Sequence, residues 1–158
     1  MFEDSVEGFI ARWRGHATDA VAFARAEGSP LLEDAVGDVV VQLLERTGPY
    51  EAPTGPVRVL LHAIATDWMR PDAARPSCDA IGPSRLRLVG RVIEVDAPLV
   101  VVDAGVPIVL GLDPATGAAA PWPEVGDWLG CDTLAPAHGF VLRGRATRAP
   151  ATSPDDQV

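Results

Sequence analysis

The sequence predicts an α+β protein, with an N-terminal helical lobe of three or four helices packed on a five-stranded antiparallel β-barrel. Three observations predict it. Before residue 70, apolar residues recur at helical spacing. From Arg85 to Asp113 they alternate or form short β-branched runs broken by turns. Between the two lies a stretch, 71–84, carrying Pro71, Pro76 and Pro83 among small polar residues, which reads as a linker. The expected division is therefore 1–70 helical, 71–84 linker, 85–143 barrel and 144–158 a disordered tail.

The helices come first. Phe2, Val6, Phe9, Ile10 and Trp13 share one helical face, and Glu3, Asp4 and Glu7 fill a first turn where the helix dipole favours acid. Thr18 can cap a second helix that runs to Glu27 and stops at Gly28. Ser29 and Pro30 suit the start of a third, with Val36, Val39, Val40, Leu43 and Leu44 as its stripe and Gly48-Pro49 as its end. Val57, Leu60, Leu61, Ile64 and Trp68 fit a fourth helix. Val57, Val59 and Leu61 also fit a strand, but the unbroken run from Pro56 to Met69 favours the helix.

The strands follow. Leu86 and Leu88 alternate with Arg85 and Arg87, and the alternation slips after Gly90, as at a β-bulge. Asp96-Ala97-Pro98 is turn chemistry, Leu99–Val102 is a short buried strand, and Asp103-Ala104-Gly105 suits a three-residue hairpin loop with Gly105 left-handed. The strand that follows, Val106–Leu112, holds Pro107 near its start. Asp127–Leu134 and His138–Arg143 are the fourth and fifth strands. Five strands, a long bent first strand and a longer connection after the third resemble an OB-fold barrel, over about 60 residues. Asp113–Gly126 departs from that pattern, because Pro114, Pro121, Trp122 and Pro123 leave room for one helical turn at most. An SH3-like or other five-stranded barrel stays open.

Composition narrows the function. The formal net charge is −9, which opposes attraction to phosphate backbones and anionic lipid. All 13 basic residues are Arg, which with the Ala, Gly, Pro and Val excess suggests a high-GC bacterial genome. No run of 18 apolar residues occurs, and MFEDSVEG lacks the features of a signal peptide, so the expected location is cytoplasmic. Cys78 and Cys131 are then expected to be free thiols.

Candidate site residues are few. Cys131, Asp132 and His138 would meet if the last two strands formed a hairpin, giving a thiol beside a base or three metal ligands; buried thiol, turn acid and edge histidine is the blander reading. Glu94 and Asp96 have same-face spacing, as general acid/base chemistry requires, or simply lie on a solvated face. Arg85, Arg87 and Arg91 share one face, which suits a small anion or acidic partner or, more simply, is a solvated strand face. Trp122, between two prolines, either plugs the barrel end or anchors a partner. No P-loop, nucleophile elbow or metal-binding spacing is present, and no cofactor or metal is predicted. The leading expectation is a non-enzymatic protein-interaction or adaptor module, partnered by another protein or by itself. The alternative is a small-molecule binder or small enzyme with a pocket between lobe and barrel, using His62, His138 or Cys131. A single-stranded nucleic-acid binder comes third, because the aliphatic Val100, Val102, Ile108 and Leu110 cannot stack on bases.

Overall fold

The computed structural model describes residues 5–24, 28–47, 54–113 and 121–142. Among them are one helix, α1 (Val6–Trp13), continued by a 3-10 turn at Arg14–His16, and ten strands. The strands are β1 (Thr18–Ala22), β2 (Leu31–Val36), β3 (Val39–Glu45), β4 (Gly55–Met69), β5 (Ser77–Gly82), β6 (Arg85–Asp96), β7 (Leu99–Asp103), β8 (Pro107–Leu112), β9 (Trp128–Thr133) and β10 (His138–Leu142).

The pairings close two five-stranded rings. In the first, β1, β2 and β3 form an antiparallel meander, β3 runs parallel to β10, β10 antiparallel to β4, and β4 returns antiparallel to β1. In the second, β6, β7 and β8 form the meander, β8 runs parallel to β4, and β9 lies antiparallel to both β4 and β6. The rings thus share β4. Its first half, to His62, pairs in the first ring, and the stretch from His62 to Met69 pairs in the second. Strand β5 adds to β6 outside either ring.

Strand alternation fills the rings. Val57, Val59, Leu61, Ala63 and Ala65 of β4 join the large core with Leu32, Val36, Val41 and Leu43 from one ring and Leu88, Val102, Ile108 and Leu110 from the other. The opposite face of β4 carries Leu60, which packs with Leu99, Val101, Val109 and Phe140 beneath Phe9 and Trp13 of α1. Ser5 caps that helix, its Oγ accepting the Gly8 N–H at 2.9 Å. Burying each of its two aromatics is worth about 2–3 kcal/mol.

The helical lobe is overturned. Among the described residues only the first of its helices is present, and each element between Thr18 and Met69 is a strand. The third predicted helix is a hairpin: Val36 pairs with Val39 across Gly37-Asp38, and Gly37 has φ +59°, as a two-residue hairpin turn requires. The fourth is β4. Both its faces are covered over much of its length, so it reads as a continuous apolar run and imitates a buried helix. The second is β1, with Ala20 and Ala22 inward and Asp19 and Val21 outward. The stretch read as linker contains β5.

The strands predicted from Arg85 onward are present with nearly the expected bounds. Gly105 has φ +95°, and the Asp103 carboxylate accepts its N–H at 3.0 Å. The bulge lies slightly later than expected, between Val92 and Glu94. Gly90 serves a close approach instead: a Cβ there would meet the Asp103 carbonyl oxygen at 2.6 Å. The expected fifth barrel strand, His138–Arg143, is corrected too. As β10 it belongs to the first ring, and β4 takes the fifth place in the second. The predicted tail lies outside the described residues. Among the described residues, no helix is long and apolar enough to cross a membrane.

Candidate interaction surface

The outer face of the β1–β3 meander exposes apolar side chains on neighbouring strands. Val21 pairs with Ala35, and Ala35 with Val40, so the three lie in one row across the sheet. Val21 is 44% exposed, Val40 50%, and Phe23, just past β1, 42%. Period-two alternation puts them there, because Ala22, Leu32, Asp34 and Val41 take the inward positions. The rim is acidic. It carries Asp19, which Arg58 reaches at 3.3 Å, and Glu33, which accepts a hydrogen bond from Gln42 at 3.3 Å.

Beside this face a cleft separates the rings. A cavity of about 340 Å³ lies between the β2–β3 turn (Gly37, Asp38), the start of β5 (Ser77–Asp79) and the β7–β8 loop (Ala104–Val106). A second, of about 210 Å³, lies between Glu33, Val40 and Gln42 on one side and Ala80, Gly82 and Arg85 on the other. Ser84 joins its walls there, donating its hydroxyl to the Gln42 carbonyl at 2.8 Å.

The residues predicted from sequence do not assemble as a catalytic site. Cys131 points into the second ring and Asp132, next on the same strand, points out. Asp132 binds Arg87 in a two-point contact at 2.8 and 3.2 Å, which holds its carboxyl below the usual range. His138 lies in the other ring, beside His62, their ring centroids 5.9 Å apart. Burial pushes the Cys131 thiol up to about 12 and the Cys78 thiol to about 11, which keeps both protonated and poorly nucleophilic. The two cysteines flank Leu88 on strands either side of β6, about 9–10 Å apart across the sheet and too far to bridge. Among the described residues no three His, Cys, Asp or Glu side chains are grouped to hold a metal.

Arg85, Arg87 and Arg91 do lie on one face of β6. Arg87 is engaged by Asp132, and Arg85 donates its Nε to the Thr133 carbonyl at 3.1 Å. Glu94 and Asp96 share Arg12 of α1, at 2.6 and 3.2 Å, and Glu94 also meets His16 at 2.7 Å. They tie the helix to β6. Trp122 is half-buried against the core, its ring edge-on to Trp68 at 5.8 Å. Neither cleft cavity is lined by His62, His138 or Cys131.

One residue escapes the sequence reading. Asp34 is fully buried, and among the described residues both its carboxylate oxygens are without a hydrogen-bond partner. Burial, then the nearby Glu45, pushes its carboxyl up to about 6. An acid at an inward strand position between Leu32 and Val36 is the signal, visible only once 31–36 is read as strand. No protein-family model matches this sequence, and a search of the curated proteins finds no match.

Proposed function

We propose that this chain is a non-enzymatic protein-interaction module. The exposed row of Val21, Ala35 and Val40, with Phe23 beside it, carries the reading. Such a row on a sheet face gains by being covered, and apolar patches of this kind mark docking surfaces. The acidic rim and the charge of −9 favour a partner with basic groups over a second copy of the same acidic chain. The same charge disfavours nucleic acid. The separation of Cys131, Asp132 and His138 weighs against an enzyme built on them. The free thiols suit a reducing compartment such as the cytoplasm. We read both rings as OB-like. In support, each has a three-stranded meander whose third strand runs parallel to the ring's fifth member, and β6 is long and bulged as the resemblance implies.

Native mass spectrometry of the untagged protein from its own cells tests this reading. The expected result is a chain without adduct and a co-purifying protein whose rebinding, measured by calorimetry, weakens at least tenfold with Phe23→Arg. A stoichiometric small molecule or metal would overturn it and favour a ligand-binding protein.

A further inference from the structure

We infer that the cleft between the rings takes an extended, basic peptide segment of the partner, laid along the free edge of β5. This rests on the protein-interaction reading and names the partner's chemistry.

The edge comes first. β5 pairs with β6 alone, so the other side of Ser77–Gly82 has no strand partner among the described residues. An open edge is a template for another main chain, which supplies amides and carbonyls in matching order. Native edges are commonly blunted by proline, charge or bulges; within β5 there is no proline, the one charge is Asp79, and the register shifts only at the end, between Ala80 and Gly82.

Space lies beside that same strand. The larger cavity adjoins Ser77, Cys78 and Asp79, and the smaller adjoins Ala80 and Gly82. The facing wall is β2–β3, joined at the larger cavity by the β7–β8 loop. A segment in this position meets aliphatic side chains, Val36, Val39 and Val106, at one end and Val40 at the other.

Charge selects the occupant. Asp38 and Asp79 line the larger cavity and Glu33 the smaller, against one cation, Arg85, whose Nε is held by the Thr133 carbonyl. Three carboxylates lining the cleft, one on the open edge and two on the facing wall, favour arginine or lysine and repel phosphate. In an extended chain alternate side chains point to opposite sides, so a segment alternating basic and small apolar residues fits both the acids and the aliphatic wall.

The probe is a fluorescent hexapeptide of alternating Arg and Val, titrated by anisotropy into the full chain. Saturable binding is expected, with at least a tenfold loss in the Asp38→Asn/Asp79→Asn double variant, whose unchanged melting curve would show that it is folded. N-methylation of one alternate set of peptide amides should cost at least tenfold and of the other set little. Equal binding of a Glu-Val peptide, no saturable binding, or indifference to the double variant would overturn the assignment. A natural partner whose binding falls with Phe23→Arg and not with the double variant would overturn the cleft alone. Failure to bind any protein would overturn the interaction reading with it.

Discussion

Asp34 sets a pH dependence that one substitution removes. Its carboxyl is buried in the first ring without a hydrogen bond among the described residues, and its pKa rises from 3.8 to about 6. The folded value lies above the unfolded one, so the folded state binds the extra proton between those limits. The stability contribution is therefore greatest below about pH 4, is lost as pH rises through about 6, and is level above that. A shift of roughly two units corresponds to about 3 kcal/mol. Asp34→Asn keeps the shape and cannot ionise. Urea unfolding of both proteins from about pH 4 to about pH 8 should show wild type losing roughly 3 kcal/mol against the variant across that range. Taking the difference cancels the carboxylates that do not interact with Asp34, including Glu94 and Asp132, which pairing holds low. A difference independent of pH, or one that moves in wild type's favour as pH rises, would refute the burial argument.

Other substitutions test the packing. Phe9→Ala should cost about 3–5 kcal/mol by chemical denaturation, because Phe9 stacks on Phe140 at 4.8 Å and lies 4.8 Å from His62. Gly90→Ala places a methyl against the Asp103 backbone and should cost about 3 kcal/mol or more, read as a lowered urea midpoint. Arg12→Ala should cost no more than about 1 kcal/mol, since its ion pairs with Glu94 and Asp96 are exposed to water. Thiol labelling of the native protein at about pH 8 should be slow at Cys78 and slower at Cys131, and fast at both in urea.

The second meander was legible because its turns are spelled out. Asp103, Gly105 and Pro107 each have a backbone reason to stand where they do, and Leu86 and Leu88 alternate cleanly. The first meander was not. Val36, Val39, Val40, Leu43 and Leu44 satisfy a helical stripe as well as two facing strands, and only Gly37-Asp38 in the middle distinguishes them. β4 was hidden by burial on both faces. At the candidate site, the shared face of Arg85, Arg87 and Arg91 follows from alternation; alternation also parts Cys131 from Asp132, which the expected grouping with His138 overlooked. That His138 belongs to the other ring does not follow, because long-range pairing has no local signature. Asp34 was legible as an acid and illegible as a buried one.

Nine strands close two rings of five because β4 is counted twice. Neither ring can lose that strand and stay closed, nor can one ring melt β4 without taking an edge from the other. Two modules joined by a linker would unfold in two steps; these two should unfold in one, with calorimetric and van't Hoff enthalpies in agreement. The usual unit of modularity, a barrel that can be cut out and moved, is absent here. A cut before β4 would leave the second ring closed and open the first; a cut after it would open both.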